Sequence, residues 1–156
     1  MIYIGVDPGK KGGYAIIEQG KSGQQTVEVY PWDDSEFVHK MRTLAEDEDI
    51  RNAGIVAAVE KVGAVHGNGI VSMFAFGRSL GFIEGVLSGC WISYQLVPPK
   101  KWKDMFSLNS DKVKSIEVCK RLFPDVSLRR TEKCTTDSDG MAESLLISEW
   151  CRRTMK

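Results

Sequence analysis

The chain opens on an apolar, β-rich run, Ile2, Tyr3, Ile4 and Val6, that ends in Asp7 and is broken at once by Pro8-Gly9 and again by Gly12-Gly13. Breakers in that arrangement stop one strand and turn the chain into another, here over residues 14–18. Asp7 then sits at the exit of a strand, outside its apolar body. An aspartate there either caps the turn or opens a metal-dependent phosphoryl-transfer site, and carboxylates at the ends of other elements decide between the two.

The rest of the chain supplies such ends. Residues 26–30 alternate as a third strand, with Val27 and Val29 against polar neighbours, and the acidic stretch 35–49 reads as one surface helix. Residues 54–59 form a continuous apolar run of strand length, as expected of a strand covered on both faces in a parallel arrangement, and they deliver Glu60 at its end. A glycine-rich loop, 63–69, with His66 and Asn68 as its polar members, leads into a helix over 70–87 that is apolar on most sides and is expected to be buried. Gly77, Gly81, Gly85 and Gly89 recur every four residues along it. Each interior glycine costs about 1 kcal/mol of helix propensity, so the stripe predicts a close backbone contact, with the domain's own sheet or with a second subunit. A fifth strand over 91–97 is stopped by Pro98-Pro99. Asp111 then caps a helix lined by Val113, Ile116, Cys119, Leu122 and Phe123, Pro124 ends it, and the last helix covers 138–153.

With 156 residues, the chain suits a single domain, 1–156, with a continuous core. Cys90, Cys119, Cys134 and Cys151 are far apart without a C-x-x-C pair, so they read as reduced, mostly buried thiols rather than zinc ligands or a redox pair. The N-terminus lacks the pattern of a secretory signal, and no stretch approaches the roughly 18 apolar residues of a membrane span. The expectation is a soluble, cytoplasmic protein, nucleoid-associated or viral, with no membrane partner. Its zero net charge conceals an asymmetry: residues 1–60 carry a net charge of −5 and residues 98–133 one of +5. A basic segment on an otherwise acidic domain is what a polyanion-binding surface produces, although a solvated helix face explains any single lysine as well.

If the strands ending in Asp7 and Glu60 are parallel neighbours, their carboxylates leave the same sheet edge roughly 5 Å apart. At an effective dielectric of about 20 their repulsion is about 3 kcal/mol, so a proton or a divalent cation belongs between them. Asp139 and Glu143 are four apart and share a face of the last helix, whose Ala142, Leu145, Leu146 and Ile147 call for burial. Oxygen ligands without a thiolate or imidazole cluster favour magnesium or manganese over zinc. Asp139 also suits a capping role, with Thr136-x-x-Asp139 as a capping box. Asp137, six residues before Glu143, is the rival ligand, reaching the site from a loop.

Together the motifs IGVDPGKKGGYAII, VAAVEKV and DGMAESLLIS resemble the opening strand and hairpin, the second acidic strand end and the closing acidic helix of the RuvC-like branch of the ribonuclease H-like nucleases, the Holliday junction resolvases. The resemblance covers nearly the whole chain. It implies an α/β fold, a five-stranded mixed β-sheet flanked by α-helices, and a homodimer with one site per subunit. It also implies two magnesium ions per site (manganese substituting), held by Asp7, Glu60, Asp139 and Glu143, and paired nicks across four-way DNA junctions. Lys103, in PPKKWK, and Lys112, in SDKVKSIEV, match the family's lysines that contact the scissile phosphate and its flanks, and Lys100, Lys101, Lys10 and Lys11 are looser candidates for the DNA backbone. The closing motif departs from the bacterial D-x-x-D-A-L spacing, which keeps Asp137 in contention with Asp139.

Two other classes stay in view. A non-catalytic binder of branched DNA keeps the basic surface but has no use for four acids. An actin-like or sugar-kinase-like phosphate binder shares the strand, Asp and glycine-rich hairpin, but needs a second lobe that 156 residues can hardly hold.

Overall fold

The computed structural model describes residues 1–20, 22–61, 69–109 and 111–155. Five strands, β1 (Ile2–Asp7), β2 (Gly13–Gln19), β3 (Gln25–Pro31), β4 (Ile55–Glu60) and β5 (Ser93–Val97), form one sheet in the order β3-β2-β1-β4-β5. The hairpin pairings β1-β2 and β2-β3 are antiparallel, whereas β1-β4 and β4-β5 are parallel. The helices are α1 (Asp34–Glu46), α2 (Glu48–Ala53), α3 (Ile70–Gly89), α4 (Pro99–Met105), α5 (Lys112–Leu122) and α6 (Asp139–Thr154). This is the mixed five-stranded sheet flanked by helices that the resemblance implies.

Period-two alternation divides the strands between two cores. Ile2, Ile4, Val6, Tyr14, Ile16, Ala57 and Val59 pack with Phe37, Met41 and Leu44 of α1 and with Ile83 and Leu87 of α3. Tyr3, Ala15, Ile17, Ala58 and Val97 point the other way, onto Met141, Ala142, Leu145 and Leu146 of α6 and onto Trp102 of α4. Two glycines bring α6 down onto the sheet and its first hairpin. A Cβ on Gly5 would lie 2.1 Å from the Ser148 backbone nitrogen, and one on Gly140 would lie 2.1 Å from the Lys11 carbonyl oxygen. Ser148 Oγ donates to the Tyr3 carbonyl at 2.9 Å across the same contact.

Five expectations need correction or extension. The single acidic helix over 35–49 is two helices, because the Asp47 side chain accepts from the Ile50 backbone N–H and caps a fresh start at α2. Pro98-Pro99 does end β5, but Pro99 also begins α4, where its fixed φ and missing N–H suit the first helical position. α6 is capped by Ser138, whose side chain accepts from the Met141 backbone N–H, so Thr136 stands outside the helix. The largest difference is α3, which was expected to be buried. Only Ile83 and Leu87 are buried along it, while Ile70 is 87% exposed, Val71 82% and Phe74 74%. Among the described residues, and leaving aside the helix's own backbone, nothing lies within 4 Å of where a Cβ would stand on Gly77, Gly81, Gly85 or Gly89, so the glycine stripe faces away from the sheet. α3's 20 residues and mean hydropathy of 1.5 also suffice, by length and composition alone, to cross a membrane, contrary to the expectation that no stretch reaches that threshold.

The four cysteines are free, Cys119 and Cys151 buried and Cys90 and Cys134 half-buried. His66 and Asn68 lie outside the described residues; Gly69, at the end of their loop, is the N-cap of α3.

Candidate active site

The parity of β1 and β4 places the first two acids. Gly5 pairs with Ala58 and Val6 with Val59, so the next residues, Asp7 and Glu60, come out side by side at the carboxyl ends of adjacent parallel strands. Counting by twos from Tyr3 and from Ala58, both side chains belong to the face covered by α6. Asp139 is the first residue of α6 and Glu143 follows one turn later, so the helix brings its two acids to that same edge.

The electrostatics show how near the four groups are. Burial, followed by the charges of Glu60, Glu143 and Asp139, pushes the Asp7 carboxyl well above the usual carboxylate range, and only Lys103 opposes this. Burial also raises Glu60, with Glu143 adding to the rise and the Trp102 N–H and Lys103 offsetting part of it. Burial would raise Asp139 as well, but its bond to Lys112 and the backbone N–H groups at the start of α6 outweigh this and hold it low. Asp137 is not among the charges acting on Asp7. It is half-buried and pairs with Lys120 on α5, beside the buried Cys119 thiol that it helps to raise.

Neutral and cationic donors from the basic segment complete the site. Trp102 Nε1 donates to Glu60 Oε2 at 2.8 Å. The fully buried Ser115 hydroxyl of α5 donates to Glu143 Oε1 at 3.2 Å, and Lys103 Nζ lies 3.1 Å from the same oxygen. Lys112 pairs with Asp139. The looser lysine candidates are elsewhere: Lys100 bonds Asp104 one turn along α4 at 2.8 Å, and Lys101 lies over the Trp150 ring. Lys10 and Lys11 occupy the turn after Asp7, where their carbonyls accept from the Arg130 guanidinium at 3.1 Å each. Arg130 thereby ties the basic loop before α6 to the hairpin that carries Asp7.

Sequence reading missed Trp102, Ser115 and Arg130. Trp102 sits on a helix hidden behind two prolines, Ser115 is an ordinary small residue on an amphipathic helix, and Arg130 acts through backbone carbonyls that no motif marks.

An all-oxygen donor set with mutually repelling, half-buried carboxylates fits a hard divalent cation. Among the described residues, no three His, Cys, Asp or Glu side chains converge tightly enough to chelate an ion as they stand. The carboxylate oxygens are in part turned towards Lys103, Lys112, Trp102 and Ser115, while the charges of Glu60, Glu143 and Asp139 still bear on Asp7.

No protein-family pattern and no curated protein sequence matches the chain. Solved structures match its fold. RuvC of T. thermophilus in complex with Holliday junction substrate superposes with a TM-score of 0.60 at 14% identity, over 99% of this chain and 97% of that one. Thermus thermophilus RuvC alone gives 0.57 at 16% identity, over 98% and 96%. The yeast mitochondrial Holliday junction resolvase gives 0.53 at 16% identity, over 96% of this chain and 77% of that one. The chain has the RuvC-like, ribonuclease H-like α/β fold over essentially its whole length.

Proposed function

We propose that this protein is a structure-selective endodeoxyribonuclease that resolves four-way DNA junctions by paired, divalent-metal-dependent phosphodiester hydrolysis. The observation that carries the reading is the convergence at one sheet edge of Asp7 and Glu60, at the ends of adjacent parallel strands, with Asp139 and Glu143 in the first turns of α6. The likeness to RuvC structures, one of them with a Holliday junction bound, agrees with it.

Asp7, Glu60, Asp139 and Glu143 would hold two magnesium ions, with manganese able to substitute. Bound, the metal supplies Lewis-acid stabilisation of the charge that builds on the phosphate during in-line displacement. The chain's own residues do the rest. Lys103 and Lys112 pair with the site acids Glu143 and Asp139 and would turn to phosphate oxygens once DNA arrives. The segment from Pro98 to Lys133, with its net charge of +5, supplies sequence-independent attraction to the backbone. The Arg130 clamp keeps the Asp7 hairpin and the start of α6 together as that load is applied.

The test is incubation of the purified protein with a synthetic mobile four-way junction, with and without magnesium, beside Glu60→Gln. Nicks placed symmetrically on opposed strands, dependent on metal and lost in the variant, are expected. Junction binding with no nicks under any divalent metal would leave a structural DNA binder instead.

Paired nicks call for two sites, and the homodimer belongs to the same proposal. The exposed apolar side of α3, continued by Trp91 at 94% exposure, is the face that a second copy would cover. Val71→Glu combined with Phe74→Glu is expected to turn a dimer into a monomer by light scattering, with each fold's own stability changed by no more than about 0.5 kcal/mol. A wild type that is monomeric at micromolar concentration sinks the dimer.

A further inference from the structure

We propose that Trp102 is the positioning residue for Glu60: its indole N–H fixes the plane of that carboxylate and leaves Oε1 free for a divalent cation. The proposal rests on the nuclease reading only in assigning Glu60 to metal binding.

Trp102 is fully buried on α4, packed in the core that joins α6 to the sheet. A buried indole needs an acceptor for its N–H. Here the acceptor is Glu60 Oε2 at 2.8 Å, a charge-assisted bond, stronger than one between neutral groups. Glu60 stands at the end of a strand and has three side-chain torsions, so without a partner its carboxylate would sample several orientations. Anchoring one oxygen to a ring that is itself locked in the core removes that freedom.

The neutrality of the donor is what suits it to this place. Lys103 and Lys112 also hold site carboxylates, but an ammonium competes with an incoming cation for the same negative charge. The indole orients Glu60 without cancelling its charge, which is how groups behind metal ligands raise affinity. The same ring supports a second element of the site, since Lys103 Nζ lies 5.0 Å from its centroid on the way to Glu143.

The experiment is a magnesium chloride titration of the full chain, followed by calorimetry and by the ¹H–¹⁵N resonances of the indole groups, for the wild type, Trp102→Phe and Glu60→Gln. Phenylalanine keeps an aromatic ring in the core and removes the donor. The magnesium Kd is expected to rise about tenfold in Trp102→Phe. In the wild type the Trp102 resonance should move with magnesium and saturate at the calorimetric Kd. A Kd within twofold of the wild type in a folded Trp102→Phe protein, a stationary Trp102 resonance, or a wild type that binds no magnesium overturns the proposal. If Trp102→Phe does not fold, the wild-type resonance, assigned by eliminating the other tryptophans, decides alone. A wild type that binds magnesium with these effects but leaves junctions uncut defeats the nuclease reading and leaves Trp102 in its role.

Discussion

Asp7→Asn should cut junctions at least ~10³-fold more slowly than the wild type, the scale on which single groups in a catalytic site act, and in metal-free buffer near neutral pH it should melt at a higher temperature. The two effects have one cause. Asp7 is raised by burial and then by Glu60, Glu143 and Asp139, so ionising it in the folded protein is costly when no cation is present. Its folded carboxyl binds a proton more tightly than the unfolded one, whose value is about 3.9. The stability this contributes is complete below the unfolded value and is lost as pH rises through the raised folded value. Above that window the wild type carries the full repulsion, which asparagine removes at nearly the same volume. A carboxylate pair about 5 Å apart at an effective dielectric of about 20 repels by about 3 kcal/mol, and Lys103 cancels part of this, so the gain is about 1–2 kcal/mol, or several degrees in Tm. Melting curves in chelator from pH 4 to 8 should show the wild type weakening relative to the variant as pH rises. Added magnesium should stabilise the wild type and close the gap. Equal melting temperatures at pH 7 in chelator would mean that Asp7 does not bear the neighbouring charges, and the four-carboxylate site would fail with that result.

Such a site was legible in advance to the extent that it depends on parity and spacing. Asp7 and Glu60 each end an apolar run, and once β1 and β4 are parallel with Val6 opposite Val59, the two-residue repeat leaves them no choice but to share a face. Asp139 and Glu143 share a helix face by their spacing alone. What supports the acids was hidden for physical reasons. α4 has seven residues, too few for a periodic pattern to stand out, and it begins at a proline that also ends a strand. The indole bond to Glu60 spans 42 positions in sequence, and the Arg130 bonds to the hairpin span about 120. Contacts of that range follow from the assembled fold, and no local rule reports them. α3 failed differently. Its composition measures how much apolar surface wants cover, and the glycines mark where a backbone could come close, but neither says whether this chain supplies the cover. Here the core fully buries only Ile83 and Leu87, takes Leu80, Phe82 and Val86 in part, and leaves Ile70, Val71 and Phe74 exposed.

Gly5→Ala should unfold the protein or lower its melting temperature by about 10 °C or more, a loss of about 4 kcal/mol. The new Cβ would stand 2.1 Å from the Ser148 nitrogen, 2.2 Å from the Ser144 oxygen and 2.7 Å from Ser148 Cα. All three are backbone atoms in the middle of α6, so no side-chain rotation relieves the clash. The helix must lift away from β1, the strand it packs against at the centre of the sheet. A glycine inside an apolar strand often marks such a close backbone approach, and here the approach sets the distance between Asp7 and the acids of α6. Ser148→Ala separates the steric effect from the bond across the same contact: it removes only the Oγ donation to the Tyr3 carbonyl and should cost about 1 kcal/mol. Any Gly5→Ala protein that does fold, at lower temperature or in stabilising salt, should bind magnesium more weakly than Ser148→Ala, because lifting α6 carries Asp139 and Glu143 away from Asp7. If Gly5→Ala instead melts within two degrees of the wild type with its magnesium affinity intact, α6 does not sit on β1 as closely as the structure has it. The four acids would then lack the common frame on which the proposed chemistry depends.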